Sequence, residues 1–208
     1  MNDRPTGSRC GVDLFWLPLG AGDAPAVVRW SGRIYEAIVA GAARRDRCDL
    51  YHSALEVRLD GTRFVIEMGP VWDSRAHGRD VVCKGPVGSR LLGHLRLFRY
   101  EVRRWREGSI PDVDEAVASP VRLSSDRLRA RALLDLAGAF PNATWGRDEQ
   151  DAGEMWNSNS LTSWLLVRSG HDLTNVRPPE RGRAPGWHAG TVVARRAGGV
   201  VPHKGAHG

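Results

Sequence analysis

The strongest structural constraint in this sequence is the pair Asp60-Gly61, which lies between two segments of alternating side-chain character. An Asp-Gly pair in this setting favours the type I′ turn of a two-residue β-hairpin. Because a two-residue loop fixes the register of the strands, Leu55 is predicted to pair with Ile66. Every second residue then falls on one apolar face, which we assign to the core.

The other face of the predicted hairpin carries the charged side chains of its strands, and it places His52 near Glu67. In the same register the two residues are diagonal neighbours on adjacent strands, within reach for long side chains. A carboxylate at that distance holds an imidazole and favours its charged form. His52 is therefore a candidate catalytic base with Glu67 as its orienting partner. The alternative is a structural histidine whose hydrogen bonds are satisfied on the sheet.

The remaining patterns predict an α+β fold, a mainly antiparallel sheet with packed helices. The predicted strands outside the hairpin cover 12–20 and 94–102, and the predicted helices cover 26–43, 123–140 and the segment from the polar run at 157–160 to Gly170. We predict one domain over 1–196, made of a strand-helix addition (12–45), a core (about 50–170) and a loop-like segment (171–196), before a disordered tail (197–208).

Composition excludes several classes of function. The net charge of +6 comes mostly from arginines spread along the chain, without the basic and aromatic groove of a single-strand binder, so nucleic acid is an unlikely partner. No apolar run approaches the roughly 18 residues of a membrane helix, and no signal peptide is seen, so we expect a cytoplasmic protein without a membrane partner. The three cysteines form no CxxC pair. The sequence therefore predicts no metal and no cofactor.

The run Asn157-Ser158-Asn159-Ser160 precedes an apolar helix and has two interpretations. Structurally, Asn157 is a good N-cap that accepts a hydrogen bond from a first-turn amide. Functionally, Ser158 lies on the face expected to pack on the sheet, over the positive end of the helix dipole, where a nucleophile or an anion contact is placed. Asn157, Asn159 and Ser160 are then the candidate substrate-binding residues, and the two asparagines can donate side-chain amides to an oxyanion.

A strand that opens with His52, followed later by a helix that starts with this Asn-Ser-Asn-Ser run, resembles the circularly permuted papain-like proteins. The group includes NlpC-type peptidases, PPPDE peptidases and the lecithin:retinol acyltransferase group, and the resemblance covers roughly Leu50 to Gly170. The members carry a nucleophilic Cys at the helix start, often after an Asn. Residue by residue, Asn157 matches that Asn, Ser158 the Cys and His52 the His. The chain also resembles uncharacterised bacterial families of this fold that carry Asn-Ser-Asn-Ser or Asn-Ser-Asn-Thr in place of the Cys box.

The resemblance implies a hydrolase or transferase acting on an amide or acyl bond of a small-molecule, peptide or acyl substrate. It also implies that the first turn of the helix points at His52. The serine departs from the family pattern, because a hydroxyl is far harder to activate than a thiol. The alternative is a catalytically inactive papain-like binding module that uses the same cleft, and a nucleic-acid-binding protein is a third, weaker possibility.

Overall fold

The computed structural model describes residues 8–19, 48–70, 81–88, 99–110 and 112–198. The strands are β1 (Gly11–Pro18), β2 (Asp49–Leu59), β3 (Thr62–Pro70), β4 (Val81–Pro86), β5 (Arg99–Arg106), β6 (Val121–Ser124) and β7 (Gly182–Arg183). The helices are α1 (Arg127–Leu136), α2 (Ser158–Arg168) and α3 (Trp187–Ala197). The strand order is β4-β5-β3-β2-β1-β6, with antiparallel neighbours, and β7 pairs with β2 in parallel. The predicted α+β class is confirmed.

The β2–β3 hairpin has the register that its turn predicts. Leu55 pairs with Ile66, and both side chains are buried. Asp60 and Gly61 have φ angles of 55° and 88°, the left-handed conformation that both central residues of a type I′ turn require. Short-range turn chemistry therefore determines the pairing at the centre of the sheet.

The first strand is an interior strand of the sheet rather than a peripheral addition. β1 pairs with β2 from Gly11 opposite Arg58 to Pro18 opposite Tyr51, and it pairs with β6 on its other side. The predicted helix over 26–43 lies outside the described residues, as do residues 94–98 of the predicted strand over 94–102.

Helix α1 is shorter than the predicted helix over 123–140. Residues 121–124 form β6 instead, because β1 provides them with a strand partner. The N-cap is Asp126, whose carboxylate accepts hydrogen bonds from the backbone N–H groups of Leu128 (2.7 Å) and Arg129 (3.0 Å). A short 3₁₀ turn follows the helix at Ala137–Ala139.

Helix α3 corrects the prediction that residues 171–196 are loop-like. Its glycine and β-branched residues have low helix propensity, so packing against a neighbour must supply the stability. Gly190 allows that packing, because a Cβ there would overlap the hydroxyl of Ser163 and the carbonyl oxygen of Ser160 on α2. The predicted tail also begins too early, since Ala197 belongs to α3, and residues 199–208 lie outside the described part of the chain.

The sheet has two faces with different coverings. The larger core cluster includes buried side chains of β1, β2, β3, β5 and all three helices. We call the surface that carries Leu14, Leu55 and Ile66 the helix face. A smaller cluster that includes Phe15, Leu17, Ala54, Val65 and Ile110 lies on the other side, which we call the second face. These two faces decide which candidate residues can meet.

Candidate functional site

The polar run is the N-terminal cap of α2. The Asn157 side chain accepts hydrogen bonds from the backbone N–H groups of Asn159 (2.9 Å) and Ser160 (3.3 Å). The Ser160 hydroxyl accepts in return from the Asn157 N–H (3.1 Å), which completes a capping box. The structural interpretation of Asn157 as an N-cap is confirmed.

Asn159 fastens the start of α2 to strand β2. Its Oδ1 accepts from the Ser53 hydroxyl (2.8 Å), and its Nδ2 donates to the carbonyl oxygens of Tyr51 (3.0 Å) and Pro185 (2.9 Å). The residue is 3% exposed. Its polar atoms are therefore committed to three partners inside the protein, and the predicted substrate-binding role is replaced by a structural one.

Asn157 and Ser160 join α2 to the segment that begins α3. The Asn157 Nδ2 donates to the Pro185 carbonyl (2.8 Å), and the buried Ser160 hydroxyl donates to the Gly186 carbonyl (2.8 Å). Two residues of the predicted substrate-binding set thus bind the chain itself. The capping box is visible as a local sequence pattern. Its partners are not, because they lie more than twenty residues away along the chain.

Ser158 is the exception in this run. It is the first residue of α2 and is only 7% exposed. Within the part of the chain that the structure describes, neither its backbone N–H nor its hydroxyl has a hydrogen-bond partner. The helix dipole adds positive potential at this end of α2. The N–H and the hydroxyl of Ser158 are therefore two donors that the described residues do not engage.

The predicted pairing of His52 with Ser158 is wrong. His52 lies opposite Leu17 of β1, and Leu17 belongs to the cluster of the second face. Because successive side chains of a strand point to opposite faces, Tyr51 and Ser53 lie on the helix face while His52 does not. Helix α2 contacts β2 through those two neighbours, so the sheet separates it from the imidazole.

His52 and Glu67 do share the second face, because Glu67 is two residues from Val65 of its cluster. The carboxylate, however, lies 3.6 Å from the guanidinium of Arg103, a side chain 1% exposed that also contacts Glu101 (3.4 Å). Burial lowers the pKa of His52 to about 4. The imidazole is therefore neutral, and the expectation that Glu67 favours its charged form is wrong.

Sequence reasoning missed Arg103 as the partner of Glu67. Alternation places Arg103 on the same face of β5 as Glu101, and this was visible in the sequence. The pairing of β5 with β3, which places Arg103 opposite Glu67, was not visible in the sequence. A partner strand distant in sequence leaves no local signal.

We expect acid to destabilise the protein through His52. Its folded pKa of about 4 lies below the ordinary value of 6.5, so the stability it contributes is fully present above pH 6.5 and is lost as the pH falls towards 4. At pH 5 the loss is about 2 kcal/mol, from 1.36 kcal/mol per unit of pKa. Urea denaturation at pH 7 and pH 5 measures it, and His52→Gln should remove this part of the pH dependence.

The matched control is His188→Gln, because His188 is exposed. This variant should keep the wild-type loss of stability between pH 7 and pH 5. If His52→Gln loses as much stability as the wild type over the same interval, the imidazole is not buried in its neutral form.

Comparison with protein-family models, with curated proteins and with solved structures finds no match for this chain. Among the residues that the structure describes, no group of three or more His, Cys, Asp or Glu side chains is placed to hold a metal ion. No helix in the described ranges is long and apolar enough to cross a membrane. The geometry of the site is therefore the basis for assigning a function.

Proposed function

We propose that this protein is a non-catalytic binding module whose ligand contacts the start of α2 at Ser158. The observation that carries the proposal is that His52 and α2 lie on opposite faces of the sheet. The alternative derived from the family resemblance, a hydrolase or transferase with His52 as base and Ser158 as nucleophile, requires the two side chains to meet.

A serine nucleophile needs a general base within direct or one-water reach. The strand itself lies between His52 and the helix, and Asn159 joins α2 to β2 with two hydrogen bonds, to Ser53 and Tyr51. An unassisted hydroxyl is a weak nucleophile at neutral pH. Among the described residues, His52, the base that the motif match assigns, is therefore not placed to turn Ser158 into a catalyst.

Binding requires hydrogen-bond donors but no general base, and Ser158 has such donors. Its N–H and hydroxyl are donors with no partner in the described part of the chain, and both lie at the positive end of a helix. The proposal keeps the resemblance to permuted papain-like proteins, in which the start of this helix holds the nucleophile. It assigns to that position the recognition of a ligand without a chemical step.

The test is covalent labelling with a serine-reactive fluorophosphonate, followed by mass spectrometry of the peptide that contains Ser158. We expect no adduct on Ser158, because His52, the base that the alternative requires, lies on the opposite face of the sheet. A known serine hydrolase in the same reaction shows that the probe is active, and Ser125→Ala controls for labelling of an exposed serine.

An adduct on Ser158 that disappears in Ser158→Ala and weakens in His52→Ala would overturn the binding proposal. It would support the hydrolase alternative, with His52 affecting the reactivity of Ser158 from the other face of the sheet. Labelling that persists in both variants would reflect reaction elsewhere, and it would leave Ser158 as an unreactive residue, as proposed.

A further inference from the structure

We infer that His171 is an acid-sensitive switch between the end of α2 and the start of α1. Its neutral imidazole is part of the packed interior, and its protonation loosens the first turn of α1. This response to pH is separate from the binding function proposed above and from the effect of His52, which lies on the second face of the sheet.

Backbone hydrogen bonds at the end of α2 hold His171 inside the protein. The Gly170 N–H donates to the Val167 carbonyl (3.1 Å), and the His171 N–H donates to the Leu166 carbonyl (2.9 Å). With a φ of 80° at Gly170, this is a Schellman motif, a common end of an α-helix. His171 is 7% exposed. The motif therefore fixes a titratable ring in the interior.

The Ser169 hydroxyl determines which nitrogen of the ring carries the proton. Its Oγ donates its single hydrogen to the Leu165 carbonyl (2.7 Å) and lies 2.9 Å from Nδ1 of His171. Because that hydrogen is already used, the hydroxyl must accept from the ring. We therefore assign the neutral ring a hydrogen on Nδ1 and a lone pair on Nε2.

The Nε2 atom of His171 is buried and has no hydrogen-bond partner within the described part of the chain. Adding a proton there would create a buried charge and a donor without an acceptor, which costs far more than an unpaired neutral acceptor. Burial is accordingly the main cause that lowers the pKa of His171. The stability that the neutral ring contributes is fully present above pH 6.5 and is lost as the pH falls through the lowered pKa.

The charged groups that act on the ring lie in the first turn of α1 and in its own segment. The positive charge of Arg129 also lowers the pKa of His171, whereas the carboxylate of Asp126 raises it. Asp172, the next residue in the chain, accepts from the N–H (2.9 Å) and the hydroxyl (2.6 Å) of Thr174. Among the described residues, Asp126 is therefore the carboxylate that can respond to a charge on the ring.

Asp126 already has a structural role, since it is the N-cap of α1. Its Oδ1 accepts from the N–H groups of Leu128 (2.7 Å) and Arg129 (3.0 Å). A protonated His171 either attracts this carboxylate away from the two amides or leaves the interior for water. The first change removes the cap of α1, and the second removes a buried side chain beside its first turn. Both loosen the start of α1.

The experiment is an NMR titration of the ¹⁵N-labelled full chain from pH 7.5 to pH 4.5. At pH 7.5 the imidazole ¹⁵N shifts of His171 should show the Nδ1–H form, and the ring should protonate with a midpoint below 6.5. The amide protons of Leu128 and Arg129 should move upfield with the same midpoint, because their hydrogen bonds to the carboxylate weaken. Those bonds hold the pKa of Asp126 below its ordinary 3.8, so the carboxylate itself does not titrate in this range.

His171→Asn is the matched variant. The asparagine amide can donate to Ser169 as Nδ1 does, but it cannot take up a proton in this range. The Leu128 and Arg129 amides of this variant should therefore keep their shifts from pH 7.5 to pH 4.5. His188→Gln, at an exposed histidine, and His52→Gln should both keep the wild-type titration of these amides.

A common midpoint for the ring and the two amides, lost in His171→Asn, supports the switch. Three results would overturn it: a ring with its hydrogen on Nε2 at pH 7.5, a ring that stays neutral down to pH 4.5, or an amide titration that persists in His171→Asn. If His171→Asn does not fold, the wild-type protein still decides, because different midpoints for the ring and the amides also overturn the inference.

Discussion

Asn159→Ala is expected to lower the free energy of unfolding by about 4 kcal/mol, the largest effect of any single change that we predict at the candidate site. The substitution leaves the Ser53 hydroxyl and the carbonyls of Tyr51 and Pro185 buried without their partner. Each unsatisfied buried group costs about 1–3 kcal/mol, partly offset because alanine is a better helix former. Urea denaturation at pH 7 measures the loss.

The neighbouring variant Ser158→Ala is the matched control. The Ser158 hydroxyl has no hydrogen-bond partner among the described residues. The free energy of unfolding of the variant should therefore stay within about 0.5 kcal/mol of the wild-type value. Equal losses in the two variants would show that the three bonds of Asn159, two to β2 and one to Pro185, do not hold the start of α2 in place.

Gly190→Ala is expected to destabilise the protein by about 3 kcal/mol and to lower its melting temperature by about 10 °C. The new Cβ would overlap the Ser163 hydroxyl and the backbone carbonyl of Ser160, and the backbone cannot rotate away. In an exposed helix the same substitution would instead add about 1 kcal/mol of stability. Thermal unfolding followed by circular dichroism distinguishes these two results.

Gly138→Ala serves as the comparison for this second variant. Among the described residues, a Cβ at Gly138 would meet the Val82 carbonyl at 3.7 Å, an ordinary contact. Its melting temperature should therefore stay at or above that of the wild type. A Gly190→Ala protein as stable as wild type would mean that α2 and α3 pack less closely than the structure shows.

The sequence predicts the local parts of this fold because their causes are local. The Asp60-Gly61 turn determines which residues of β2 and β3 face each other, and both φ angles agree with the turn type. The start of α2 was predictable for the same reason, since Asn157 and Ser160 cap the helix from within one turn. No distant residue is needed for either feature.

The failure at His52 has a definite physical cause. The alternation of the hairpin already assigns Ser53 and Leu55 to the core face and His52 to the other. The order of the motifs along the chain indicates that β2 and α2 meet, which they do, but it carries no information about the face. Successive side chains of a strand point to opposite faces of the sheet. One position along β2 therefore decides whether a residue faces the helix as a catalytic partner or lies on the other side of the sheet.

The missed helix and the missed ion pair depend on contacts between segments distant in sequence. The segment around Gly186 and Gly190 has the composition of a loop, and its helix forms where it packs against α2. Arg103 meets Glu67 only because β5 lies beside β3, although β4 intervenes in the chain. Helix propensity and the spacing of residues along the chain predict neither helix α3 nor the ion pair.

The position of β2 also determines how firmly the Ser158 region is held. This strand is hydrogen-bonded to β1 on one side and to β3 on the other, and Asn159 links it to the start of α2. Segments with so many buried contacts open only when most of the domain unfolds. The two donors of Ser158 are thus preorganised, and a ligand bound there, as proposed, would lose little affinity to the ordering of the protein.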